Sequence, residues 1–591
     1  MNHGRNGLEA SVDGTTDAMG AKRGLLLLLA TAGMLSLWGL GGRGLWAAEG
    51  RWAEVTREML LTRDFFHPMI AGEPYFDKQL LTYWFRAGLA LVTGVLNEFI
   101  VRLPSAIAGI VAIWATVNLG TRLWSARVGR LAGWFLVTTY AFLFWSRTGT
   151  AEAENAAVII LAVAWYWSRR DRLTFPDMLV FYLICFVGAL TKGLTAVVVP
   201  VIVVLPDILA ERRWRLLLRP GHVLAFGIGL LVYLAPFAYA SFSQPSSYES
   251  SGLGLAFQEN VLRYFRPFDH KGPVYLYVYQ LPVLMLPWTP VFVLAVVGIV
   301  KGWKRLDKHT RWLVWAILSV FLFFTFSGSR RSYYILPILP LCALLMSVFV
   351  GWVRQRPVKQ LCQRGLAIQR AVFIGVIAFE LALPLILILP QHMTGLKVPL
   401  SLDVAGLVIG VVAVFVGVVF SELARRARLS GSPLHSAGPL VAVAVVLLAG
   451  YFCWQQEILE VNRTERPFAR QLQKEIAYLP PERVAMYPKP DANLLFYLGT
   501  EGPVTVLETA ERVGGFVERG GPSVIITQQR YAAGLPNEII TSAQRQPSLH
   551  EQGHRWESKS SKQEKWVAWF WGDASPLAAT TRVNEGGTDA Q

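Results

Sequence analysis

Apolar runs long enough to cross a bilayer recur along most of this chain. A hydrocarbon core of roughly 30 Å takes about 20 helical residues to span. Runs that approach or exceed this stand near 24–42, 101–121, 129–147, 153–168, 177–191, 193–210, 222–242, 274–300, 312–327, 332–353, 371–391, 402–424 and 437–454. These predict about thirteen transmembrane helices. A weaker run at 80–96, LLTYWFRAGLALVTGVL, has Arg86 in its middle.

Positive charge decides how that weaker run is read. If 80–96 does not span, the clusters Arg122/Arg127/Arg130, Arg169/Arg170/Arg172 and Arg212/Arg213/Arg215/Arg219 all face the cytoplasm. So do Lys301/Lys304/Arg305/Lys308, Arg354/Arg356/Lys359 and Arg425/Arg426/Arg428, as the positive-inside rule requires. If it spans, every cluster moves outside. The run is therefore expected along the outer surface. Residues 1–23 are then a cytoplasmic tail and 24–454 the membrane unit, with outer-face loops at 43–100 and 243–273.

After residue 454 the pattern changes to short alternating runs with many turn residues. RVAMY (483–487), PVTVL (503–507) and SVIIT (523–527) read as strands, with ANLLFYLG (492–499) and ETAERVGGFVERG (508–520) as helices between them. Residues 455–575 are thus expected to form a small α/β domain on the outer, periplasmic side. A disordered tail is expected at 576–591.

Composition agrees. Of 591 residues 53% are apolar and only 16% charged, against about a quarter charged in soluble proteins, which excludes a soluble enzyme, a coiled coil and a disordered scaffold. The net charge of +16 sits mostly in loop clusters, so it reports topology and not nucleic acid. Four cysteines, without a CxxC pair, imply neither a metal site nor a disulfide framework.

Ionisable groups at span ends on one face of a membrane protein are candidates for function, because their burial is costly unless used. The outer face collects Glu49, Arg51 and Glu54; Asp77 and Lys78; Arg147, Glu152, Glu154 and Asn155; and Lys192. The loop after residue 242 adds Glu259, Asn260, Arg263, Tyr264, Arg266, Asp269 and His270. Arg330, Arg331, Tyr333 and Tyr334 open a later span. Lys and Arg with Tyr suit a phosphate head. Carboxylates among them suit a general base or a cation bridging to phosphate. The mixture points to a lipid-linked phosphate substrate arriving through the bilayer.

These segments resemble the polyprenyl-phosphate-dependent glycosyltransferases of the GT-C type, above all the bacterial aminoarabinose transferases that modify lipid A, and with them the protein mannosyltransferases. EGRWAEVTREML is similar to the family's acidic first-loop motif, and GEPYFDKQLLTYW to its Tyr-Phe-acid-Lys-Pro-Pro stretch. NEFIVRLPSAIAG, LTKGL, GPVYLYVYQLPVLMLPW and SGSRRSYYILPILP match four further motifs in order. The resemblance covers about residues 24–345.

It implies a GT-C architecture in the inner membrane, a polyprenyl-phosphate-linked sugar donor, and a lipid or glycan acceptor at the periplasmic face. A monomer amid membrane lipids is expected. Asp77 and Lys78 stand for the family's acid–lysine pair. Tyr75, Lys78, Lys192, Arg263, Arg330, Tyr333 and Tyr334 would hold the donor phosphate, and Glu152 falls where the family has an Asp. The chain departs from the pattern at Ala48-Glu49 for Asp-Glu, at Lys78-Gln79-Leu80 for Lys-Pro-Pro, and at Asn260 for a histidine. The base role then falls to Glu49 or Glu152, with Asp77 a third acid. A divalent metal (Zn or Mg) has only Asp77 to hold it. Two alternatives are a protein O-mannosyltransferase and a lipid-linked sugar flippase or transporter.

Overall fold

The computed structural model describes residues 22–75, 78–243, 254, 272–351, 356–388, 415–427, 433–463, 465–546, 548–551 and 564–571. The expected tail 576–591, all but the last two residues of the expected tail 1–23 and most of the loop 243–273 therefore lie outside the described residues, and so does most of the run 402–424.

The described part of every expected apolar run is helical for most of its length. Helix α1 covers 22–37, followed by α2 (Glu49–Thr62), α3 (Leu80–Thr93), α4 (Glu98–Leu123), α5 (Ala126–Val137), α6 (Tyr140–Ser146) and α7 (Glu152–Arg169). Next come α8 (Phe175–Lys192), α9 (Thr195–Ala210), α10 (Pro220–Ser243), α11 (Leu276–Leu284), α12 (Thr289–Gly302), α13 (Lys308–Phe326) and α14 (Leu339–Gly351). Two long helices, Arg356–Ile388 and Pro433–Arg463, lie towards the end of the membrane unit.

Among the described residues five helices are long and apolar enough to cross a membrane, or seven if each bent pair is one span. The run 129–147 folds as α5 and α6 at 70° to each other, and the run 274–300 bends by 119° between α11 and the helix after it. Others, such as α9, are shorter apolar helices.

Small residues let these helices approach closely, the usual device where lipid gives no hydrophobic drive between helices. A Cβ on Gly120 of α4 would lie 2.8 Å from the Cα of Gly129 on α5. The ambiguous run becomes α3, whose 14 residues reach about 21 Å, short of the roughly 30 Å of a bilayer core. Phe85, Leu91 and Val92 on it are exposed, whereas Arg86 is fully buried. Arg86 donates to the carbonyls of Val101 and Thr82 at 2.9 and 2.7 Å and lies 3.5 Å from Glu154. The charge that complicates its hydropathy thus turns inward and pins α3 to α4 and α7.

Helix α2 is buried on most sides, including Glu49, Gly50, Trp52, Ala53, Glu54 and Val55, because it lies between the membrane helices and the C-terminal unit. Glu58 near its end accepts from the Ala71 and Gly72 amides at 2.6 and 3.3 Å. This fixes the hairpin β1 (Met69–Ile70) and β2 (Glu73–Pro74), which leads the chain towards Lys78.

The C-terminal unit has the expected βαβαβ start: β3 (Val484–Tyr487), helix Ala492–Leu498, β4 (Thr505–Val506), helix Ala510–Glu518 and β5 (Ser523–Gln528). Two strands that the pattern did not show, β6 (Ser548–His550) and β7 (Trp566–Trp571), complete a sheet ordered β4-β3-β5-β7-β6. The first three are parallel and the last two pairings antiparallel. All six residues of β7, WVAWFW, are buried, so it lacks the alternation that marks a one-sided strand.

Candidate active site on one face of the bundle

Five segments close around a cavity of about 800 Å³: Trp46–Trp52, Lys78–Gln79, the turn from α6 into α7, the end of α8, and the stretch from Ser327 to Tyr334. Each is placed by a local break in helical structure. Helix α8 ends at Lys192 because Gly193 has φ +104° and ψ −171°, a conformation open to glycine and to few other residues. Chain direction changes there, and the Lys192 side chain reaches the cavity instead of lipid. Helix α7 begins at Glu152, so its first turn presents Glu152 and Asn155 to the same space.

Lys192 Nζ donates to Glu152 Oε1 at 2.8 Å. The same ammonium lies 5.7 Å from the ring centre of Tyr333 and 5.4 Å from that of Tyr334, within cation–π range. Arg331 donates to the Tyr333 hydroxyl at 2.8 Å, while Trp145 packs on the Tyr333 ring at 4.4 Å between centres. Arg51, Lys78, Lys192 and Arg331 thus line the cavity with a single described carboxylate, Glu152.

Five buried polar atoms of the lining residues have no hydrogen-bond partner in the protein: Trp52 Nε1, Gln79 Oε1, Thr150 Oγ1, Glu152 Oε2 and Ser329 Oγ. Leaving such an atom unpaired costs about 1–3 kcal/mol. Cations suit an anion, and the unpartnered hydrogen-bonding atoms suit a polar ligand.

Glu49 is not in that wall. It is fully buried beside it and receives Arg102 Nε at 2.7 Å and a second Arg102 nitrogen at 2.8 Å, with Arg43 at 3.4 Å. The amides of Trp46 and Gly149 complete its shell at 3.0 and 2.7 Å. Burial pushes its carboxyl pKa up, but the Arg102 and Arg43 charges and these hydrogen bonds prevail and hold it down to about 2.

Comparison with known proteins places this arrangement. Residues 77–239 match the dolichyl-phosphate-mannose-protein mannosyltransferase family. An undecaprenyl phosphate-alpha-4-amino-4-deoxy-L-arabinose arabinosyl transferase of Pseudomonas fluorescens is 30% identical over 388 residues, 62% of this chain and 68% of the relative. The chain belongs to that aminoarabinose transferase family. The Pseudomonas paraeruginosa member is 32% identical over 342 residues, 56% of this chain, and the match spans 60% of that relative's length. The crystal structure of ArnT from Cupriavidus metallidurans bound to undecaprenyl phosphate superposes with a TM-score of 0.66 at 20% identity, covering 92% of this chain and 97% of that one. The fold is accordingly that of a multi-spanning GT-C membrane enzyme.

Within this aminoarabinose transferase fold, the candidates Glu152, Lys78, Lys192, Tyr333 and Tyr334 all line the cavity. Tyr75 stands one step back, its hydroxyl accepting from the lining Arg51 at 3.1 Å. Arg330 points elsewhere and donates to the carbonyls of Thr325 and Gly272 at 2.9 and 2.7 Å; its neighbour Arg331 takes the cavity position. Adjacent arginines in one motif diverge here because the chain turns between α13 and α14, which their order in sequence cannot reveal. Asp77 and Arg263 lie outside the described residues.

Sequence reasoning missed Gln79 and Trp52 as parts of the wall. Their signals were a polar residue in place of the motif's first proline and an aromatic one turn beyond Ala48. A metal site does not form among the described residues, where no group of three or more His, Cys, Asp or Glu side chains converges. The one described lining carboxylate is already held by Lys192, so no step is assigned to a metal.

Proposed function

We propose that this chain is an inner-membrane glycosyltransferase. It moves a sugar from a polyprenyl-phosphate donor to an acceptor such as lipid A on the periplasmic face. Following the relatives' names, the proposed donor is undecaprenyl phosphate carrying 4-amino-4-deoxy-L-arabinose. The supporting observation is Glu152: one oxygen held by Lys192 at 2.8 Å, the other buried on the cavity wall without a partner.

In the reaction the acceptor oxygen attacks the anomeric carbon, and its proton passes to Glu152 Oε2 acting as general base. The bond from the anomeric carbon to the phosphate oxygen breaks, and the lipid phosphate departs. Lys192, Lys78, Arg51 and Arg331 stabilise its growing charge. Tyr333 and Tyr334 hold Lys192 in place. Glu49, saturated by arginine and amide donors, is a positioning residue for the loop that carries Trp46 to Trp52. Asp77 and Arg263 are retained as candidates from the sequence alone.

Thirteen spans over 24–454, with residues 455–575 and the cavity on the outer face, remain the topology proposed from the basic clusters. Mass spectrometry of envelope lipids from a deletion strain and its parent tests the reading. Loss of an aminopentose increment from lipid A is expected. An unchanged lipid A, with a sugar lost from secreted proteins, would replace the acceptor, and no change in any glycan would remove the assignment.

A further inference from the structure

The geometry points to Gln79 as a reader of the transferred sugar: its side-chain oxygen accepts a hydrogen bond from one hydroxyl or amine of the pentose. This rests on the transferase reading of the same cavity.

Gln79 is only 6% exposed and lines the cavity beside Lys78, with Oε1 unpartnered. A polar side chain immediately before a helix ordinarily accepts from an amide of the first turn. Gln79 is the N-cap of α3 and makes no such bond, so capping does not account for it. The first turn of α3 fixes its place: Thr82 donates to the Thr191 carbonyl at 2.8 Å, tying α3 to the end of α8 next to Lys192. Gln79 is therefore held near the Lys192–Glu152 pair, where the anomeric carbon must lie for Glu152 to act. An oxygen acceptor there matches only a ligand group that bears hydrogen. A sugar hydroxyl or amine supplies one, whereas the phosphate of the leaving lipid and the polyprenyl chain supply none.

A buried acceptor built for a substrate hydrogen discriminates strongly against an analogue that lacks it, because the group is then left unpaired. The test uses the purified full chain with undecaprenyl-phosphate donors carrying 4-amino-4-deoxy-arabinose, arabinose, and the series deoxygenated at single ring positions. The unaltered protein should lose about 100-fold or more in kcat/KM on one member of the series. Gln79→Leu should turn over the parent donor about as slowly as that member, and should treat the two alike. Gln79→Glu keeps an acceptor at the same reach and should keep the discrimination.

If Gln79→Leu slows every donor by one common factor, or none, Gln79 only fills the wall and the inference falls while the transferase reading stands. If the leucine variant does not accumulate in folded form, Gln79→Met is scored by the same ratio. If the unaltered protein turns over no polyprenyl-phosphate sugar at all, the transferase reading fails and this inference fails with it.

Discussion

Arg102 directs all of its guanidinium hydrogens inward to Glu49 and to three carbonyls, those of Leu40, Arg43 and Gly44, at 2.7 to 2.9 Å. Both side chains are buried, at 1% and 0% exposure. A buried pair that is fully hydrogen-bonded contributes little net energy, but removing one partner leaves an uncompensated charge and costs about 3–5 kcal/mol. Glu49→Gln should therefore lower thermal stability in detergent strongly, with a loss of turnover per folded molecule far smaller than that of Glu152→Gln. A variant that melts normally but is inactive would move Glu49 from the scaffold to the chemistry.

The same pair sets an acid limit. The Glu49 pKa is lowered from 4.5 to about 2 on folding, so its stabilisation is fully present above about pH 4.5. It is lost as pH falls from there towards 2, to the extent of about 3 kcal/mol. The difference in melting temperature between the unaltered protein and Glu49→Gln should shrink over that window and vary little from pH 6 to 8.

Glu152→Gln removes the proposed base while keeping the shape of the wall and an oxygen for Lys192. Transfer should fall by about 100- to 10,000-fold with an unchanged elution profile and melting curve. Steady-state transfer from the lipid donor measures this. Activity within a few-fold of normal would return the base role to an acid outside the described residues, Asp77 first.

The two adjacent arginines should behave differently. Arg331→Gln removes a cation from the cavity and the donor to the Tyr333 hydroxyl. It should reduce kcat/KM for the lipid donor by about 10- to 100-fold, the equivalent of a charge-assisted hydrogen bond of about 1.5–3 kcal/mol. Arg330→Gln unties Gly272 and Thr325 and should appear first as lower stability and earlier cleavage in limited proteolysis. Equal kinetic losses with unchanged stability would place both at the phosphate.

Much of this architecture was legible in the chain. Run length located the helices because lipid imposes one requirement on every span, and α3 stood apart as the weaker run with Arg86 in its middle. Lys192 and Glu152 could be read because a charge at a span end must be used or paired. Arg102 and Arg86 were not legible as structural ions. Their partners, Glu49 and Glu154, lie 53 and 68 positions away, and only folding shows that these pairs close on themselves. Gln79 was visible only as a departure from a motif, since its significance depends on a bond it fails to make. Strand β7 escaped because burial on both faces erased its alternation.

The docking of the C-terminal unit depends on a missing side chain. Gly50 of α2 lies directly under Asn493, and a Cβ there would sit 2.6 Å from the Asn493 Cα, too close to be relieved by a rotamer change. Around this point Asn493 donates to the Ala47 carbonyl at 3.1 Å, and the Tyr497 hydroxyl receives the Leu45 amide at 2.6 Å and donates to Glu98. The loop from Leu45 to Trp52 is thus clamped from above by this contact and from beneath by Arg102, and the cavity wall inherits its position from both. Gly50→Ala should separate the two units by about 1–3 kcal/mol, seen as faster proteolytic release of the segment beyond residue 464. Donor turnover should fall with it, and Asn493→Gly combined with Gly50→Ala should restore neither, since the backbone Cα that meets the new methyl group remains. Release without any change in turnover would show that the membrane helices alone hold the Trp46–Trp52 wall.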